Sequence, residues 1–138
     1  MKKLSVVILL LVVFTSCTKK EVLSLADQVS GNYDVVFIES SVGNSNVPIQ
    51  GNNSTIDFEL TLTKVSDTFV DFQMSQLTTT GGSTNIEKAG AAMELSESMS
   101  GVIDFSVGTN KVATFENGTL RFSSTLGGED ITFVCTKL

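Results

Sequence analysis

Along most of the chain, apolar and polar positions alternate with a period of two. In Ser54–Lys64, the side chains of Ile56, Phe58, Leu60 and Leu62 point one way and those of Asp57, Glu59, Thr61 and Thr63 the other. This is the pattern of a strand with one buried face. Thr68–Gln76 continues it, with Val70, Phe72 and Met74 set against Asp71, Gln73 and Ser75. Keeping Leu62 and Val70 on one face requires an odd number of loop residues, which predicts a three-residue turn, Val65-Ser66-Asp67. Phe69 is then an apolar residue on the polar side that needs cover.

The C-terminal third reads as hairpins whose registers agree. Asn117-Gly118 is a type I′ turn signal, and centring a hairpin there pairs Phe115 with Leu120 and Ala113 with Phe122. A second two-residue turn at Gly127-Gly128 pairs Phe122 with Phe133 and Leu120 with Cys135, so one face stays apolar through three strands. Upstream, Gly101–Val107 presents Ile103, Phe105 and Val107, and a three-residue loop, Gly108-Thr109-Asn110, sets Phe105 opposite Ala113. Thr84–Ser96 is predicted as one or two strands interrupted by a bulge at Lys88-Ala89-Gly90. The first strand, Asn32–Ser40, is apolar on both faces, with Tyr33, Val35 and Phe37 against Val36 and Ile38. Glu21–Ser30 has a loose helical spacing ended by Gly31, which predicts a helical turn leading into the domain and lying over that strand.

Eight to ten sequential antiparallel strands with one apolar face predict an all-β chain, an up-and-down meander closing into a barrel, with a β-sandwich as the alternative. Two connections are long. Thr78–Ser83 is small and polar, a mobile loop. Ser41–Asn53 carries the apolar triplet Val47-Pro48-Ile49, read as a hook on the end of the domain or, alternatively, a lid on the rim of an opening.

The N-terminus has a different pattern. Lys2 and Lys3 precede an apolar run, Leu4–Phe14, closed by Thr15-Ser16-Cys17, the layout of a secretory leader. As a helix this run rises only about 16 Å, roughly half the hydrocarbon core. Phe14-Thr15-Ser16-Cys17 resembles the lipobox of bacterial lipoproteins, with Phe14 where Leu is usual, a departure tolerated in Bacteroidota. The resemblance implies cleavage after residue 16, acyl chains such as palmitate on Cys17, and a membrane partner held through those chains. Two or three chains anchor stably where one is marginal. Thr18 in place of Asp favours the outer membrane by that family's sorting rule, with the periplasmic or surface face left open. The domains expected are a leader at 1–16, a lipidated tether at 17–21 and a barrel at 22–138.

Over residues 22–138 the chain resembles the lipocalin-like (calycin) domains of small Bacteroidota lipoproteins. Gly31-Asn32-Tyr33 stands for the family's Gly-x-Trp opening, with Tyr33 replacing Trp. Val47-Pro48-Ile49 in the long first loop and the hairpin meander to Leu138 continue the likeness. The resemblance implies an apolar cavity for a small hydrophobic ligand, for which the inward Phe58, Leu60, Phe72, Met74, Phe105, Phe115, Phe122 and Phe133 are the candidates. Eight-stranded barrels are either filled by such side chains or hold one ligand.

Composition narrows the chemistry. The chain has no His, which removes His-based triads and zinc sites. Its formal charge is −6, and without Lys2 and Lys3 seven basic residues face fifteen acidic ones, −8. Nucleic-acid binding is not expected of such a surface. Arg121 is the sole arginine, and alternation places it outward. Carboxylates are scattered, with no calcium loop and no phosphate-binding glycine motif. No catalytic residue, cofactor or metal is therefore expected, and the chain reads as non-enzymatic. With Cys17 acylated, Cys135 has no disulfide partner and reads as a small buried hydrophobe. Two functions remain: a lipid-anchored module binding a hydrophobic ligand, or an envelope protein with a filled barrel that docks a protein partner near Phe69.

Overall fold

The computed structural model describes residues 21–99 and 101–138. The leader, Cys17 and the tether to residue 20 lie outside the described residues. Among the described residues a helix, α1 (Leu25–Val29), is followed by β1 (Gly31–Ser40), β2 (Ser45–Asn46), β3 (Ile49–Gln50), β4 (Ser54–Ser66) and β5 (Phe69–Thr80). β6 (Ser83–Met99), β7 (Val102–Val107), β8 (Asn110–Glu116), β9 (Thr119–Leu126) and β10 (Glu129–Lys137) complete the chain. From β4 to β10 each strand pairs antiparallel with the next, and β1 pairs with both β10 and β4. Eight strands thus close into an up-and-down barrel, and the sandwich alternative is excluded. Every buried side chain among the described residues is apolar and none is polar or charged, whereas a lipid-spanning barrel turns its apolar face outward. Among the described residues no helix is long and apolar enough to cross a membrane.

The C-terminal meander forms in the predicted register: Phe115 opposes Leu120, Ala113 opposes Phe122, Phe122 opposes Phe133 and Leu120 opposes Cys135. Asn117 and Gly118 take φ of 51° and 80°, as a type I′ turn requires. Phe105 opposes Ala113, but the turn is the two-residue Gly108-Thr109, and a bulge at Val112 absorbs the odd residue. The same exchange occurs between β4 and β5. The turn is Asp67-Thr68, Val65 is bulged, and Leu62 pairs with Phe72 rather than Val70. Because the register moved by two, the buried face is kept.

Further expectations are corrected. Thr78–Ser83 is not a long loop: β5 runs to Thr80 and β6 starts at Ser83, joined by the two-residue turn Gly81-Gly82. β6 runs unbroken through Lys88-Ala89-Gly90, in continuous register with β5 from Glu94 to Ser83. Gly90 serves close approach instead: a Cβ there would lie 2.7 Å from the carbonyl oxygen of Phe72. In β1 a bulge at Val36 resolves the two apolar faces. It puts Ile38 opposite the inward Phe133 and packs it on the core beside Tyr33 and Val35, while Phe37 moves to the outer face.

The helix caps the end of the barrel rather than covering β1. Ser24 caps it, its Oγ accepting from the Asp27 N–H at 3.2 Å, and Ala26 and Val29 are fully buried. The Ala26 N–H donates to the Asp67 carbonyl at 3.1 Å. Lys64 bridges Asp27 at 2.8 Å and Asp67 at 2.9 Å, Lys137 Nζ donates to the Gln28 carbonyl at 2.9 Å, and the Tyr33 hydroxyl donates to the Val29 carbonyl.

At the opposite end β1 and β4 part. They pair only over Gly31–Asp34 and Glu59–Leu62. Beyond that, β2 pairs with β1 at Phe37 and Ile38, and β3 pairs with β4 at Ile56 and Thr55. Val47-Pro48-Ile49 therefore lies across the wedge in the wall, with Val47 packed on the core, the cover that an apolar triplet in a polar connection needs. Gly90→Ala, which forces the β5 and β6 backbones apart, is expected to cost about 1–3 kcal/mol, read as a lowered urea midpoint.

Candidate ligand site: a window in the barrel wall

The barrel has two unlike halves. Beside α1 it is filled: Tyr33, Leu60, Leu62, Phe105, Leu120 and Cys135 are each no more than 2% exposed. Burial pushes the Cys135 thiol up to about 12, which keeps it protonated and unreactive. The phenol of Tyr33 is likewise raised, by burial first and by proximity to Cys135 second.

The other half opens because the β7–β8 hairpin is short. β6 pairs with β7 only from Glu94 onward, and β8 pairs with β9 only over Ala113–Glu116. The stretch of β6 from Ser83 to Met93 and that of β9 beyond Phe122 thus have no strand on the sides facing each other. Between them is a cleft of about 720 Å³. Ala91 and Met93 line one jamb, Val107, Asn110 and Val112 the sill, and Phe122 to Thr125 the other jamb, with Asp130 and Thr132 behind. The Phe122 ring leads inward, packing on Phe72 at 4.6 Å and stacking with Phe133 at 6.1 Å, and Phe58 meets Phe133 edge-on at 5.5 Å.

The eight candidate cavity residues therefore separate. Phe58, Phe72, Phe122 and Phe133 form one aromatic cluster, and of these Phe122 lines the cleft. Met74 is half-buried against the core. Leu60 and Phe105 are packed solid, and Phe115 lies near the α1 end, edge-on to Tyr33 at 6.3 Å. Val47, Pro48 and Ile49 do not line this cleft. Sequence reasoning missed Ala91, Met93, Asn110, Val112 and Ser124. The only available signal was the unequal length of neighbouring strands, six residues in β7 against seventeen in β6.

The rim is polar. The Thr125 hydroxyl donates to Asp130 at 2.9 Å, and the Ser123 and Thr132 hydroxyls share a hydrogen bond at 3.0 Å. Outside the window, Lys111 and Arg121 border a smaller depression of about 340 Å³. Lys111 pairs with Asp104 at 2.8 Å and the outward Arg121 pairs with Glu39. Among the described residues no group of three or more Cys, Asp or Glu is placed to hold a metal ion.

The fold is thus a closed eight-stranded antiparallel barrel, which is consistent with a lipocalin-like fold. Comparison with protein-family models, with curated proteins and with solved structures gives no significant match.

Two outcomes test the division into halves. Phe105→Ala is expected to cost about 3–5 kcal/mol and Phe122→Ala distinctly less, by denaturant unfolding. Cys135 and Tyr33 stay protonated in the fold, whereas the unfolded chain ionises them near 9 and 10. The unfolded state loses protons first, so stability is to fall as pH rises from about 9 toward 12. In Cys135→Ala the onset of that alkaline loss moves upward, as urea midpoints measured across this range will show.

Proposed function

We propose that this chain is an exported lipoprotein, acylated at Cys17 and anchored to the outer membrane, whose barrel holds a small hydrophobic ligand. The carrying observation is the cleft of about 720 Å³ leading onto the Phe122–Phe72–Phe133 cluster. Its size falls within the roughly 300–1,000 Å³ of small-molecule sites, which are mostly apolar with a few polar groups. Support for the anchor comes from the leader pattern and the Phe14–Cys17 motif. The tether joins the barrel at its α1 end, so the window lies in the half away from the attachment point.

One observation favours the second reading, a protein that docks a partner. The free side of β6 over Ser83–Met93 is a template for strand addition, and Phe69 is 40% exposed. Native mass spectrometry on residues 18–138 separates the two. A discrete added mass, lost on denaturation, is expected. A clean apo mass that persists after incubation with fatty acids and isoprenoids overturns the ligand and leaves the docking reading. For the anchor, Cys17→Ser is expected to abolish membrane partitioning, and a variant that still partitions refutes acylation.

A further inference from the structure

We infer that the ligand is a single-chain lipid with an uncharged, hydroxyl-bearing head, held sideways through the window between β6 and β9, and that the site disfavours a free fatty acid. This rests on the ligand-binding reading above and specifies its chemistry.

The window has an apolar depth and a polar frame. Met93, Val112 and Phe122 supply surface for a hydrocarbon chain, backed by Phe72 and Phe133. Ala91, on the β6 jamb, leaves the entrance wide because its side chain ends at Cβ. The frame offers the Ser124 hydroxyl and the Asn110 amide, with the hydrogen-bonded pairs Ser123–Thr132 and Thr125–Asp130 along its outer edge. The facing edges of β6 and β9 add backbone N–H and C=O groups that no strand satisfies. Donors and acceptors are therefore interleaved around the opening. A hydroxyl group, which both donates and accepts, uses both kinds; a carboxylate only accepts.

Charge points the same way. The ionisable side chain in the cleft lining is Asp130, which repels a second carboxylate brought beside it at reduced dielectric. Lys111 and Arg121 border the adjoining outer depression and are engaged by Asp104 and Glu39. Without Lys2 and Lys3, seven basic residues face fifteen acidic ones, −8, so the field of the domain adds no attraction for an anionic head.

The test uses residues 18–138, stripped of host lipid, with 1-dodecanoylglycerol and dodecanoate as probes below their micellar concentrations at about pH 8. Binding is read by calorimetry and native mass spectrometry. The monoacylglycerol is expected to bind one to one and about tenfold or more tighter than the fatty acid. Asp130→Asn is expected to narrow that gap by improving dodecanoate. Ala91→Trp, at an exposed position on the jamb, is expected to abolish binding with an unchanged unfolding midpoint; Ser124→Trp on the opposite jamb is the second blocker should the first variant misfold. Dodecanoate binding as tightly as its glycerol ester overturns the inference, as does full binding in both window-blocked variants. If neither probe binds but a different hydrophobic molecule is carried from the host, the head-group inference falls and the ligand reading stands. If nothing binds, both fall.

Discussion

The barrel depends on a seam of four residues to a strand, where Gly31–Asp34 of β1 pairs with Glu59–Leu62 of β4. Without it the sheet would end in two open edges, and the inward apolar face would be exposed along both. The seam is short because the bulge at Val36 bends β1 away, and it is reinforced from both ends. On one side α1 plugs the barrel through Ala26 and Val29, tied down by Lys64, Lys137 and the Tyr33 hydroxyl. The Leu138 N–H also donates to the Asn32 carbonyl at 2.9 Å, holding the end of the chain against the seam. On the other side β2 and β3 fill the wedge that the bend creates.

That arrangement concentrates packing in one half of the molecule. The half beside α1 has the full inventory of a core, with side chains nearly inaccessible and a buried thiol held neutral. The far half has strands of unequal reach, so its wall is incomplete, and Phe58 and Phe122 are only partly covered while Phe72 and Phe133 stay buried. A rigid base supporting an open upper half is the usual division of labour for a binding scaffold: the closed part holds geometry, and the incomplete part offers unsatisfied apolar and polar groups to something else. The window is thus a direct result of the short β7–β8 hairpin standing between the long β6 and the β9–β10 hairpin.

Much of this was legible in the residues. Strand identity and facing followed from the alternation in Ser54–Lys64 and from the Asn117-Gly118 and Gly127-Gly128 turns, because side-chain period and turn type act locally. The inward aromatic set could be named for the same reason. Where an extra residue had to be accommodated, the sequence specified parity but not placement: Val65 and Val112 are bulges beside two-residue turns rather than members of three-residue turns. Both solutions keep the apolar face inward, and the choice between them is made by the twist of the neighbouring strands.

The sequence by itself determined an all-β meander, the residues of its core face and the registers of its C-terminal hairpins, since each depends on contacts between residues close along the chain. Only the tertiary structure decided that Ile38 rather than Phe37 turns inward, that Gly90 serves a close approach to the Phe72 carbonyl instead of a bulge, and that Val47-Pro48-Ile49 patches the wall. It also decided which inward phenylalanines stand beside open space. Those outcomes depend on closing the sheet between strands about thirty residues apart. Once closed, the curvature and the reach of each strand are shared by all eight, and no local pattern records them.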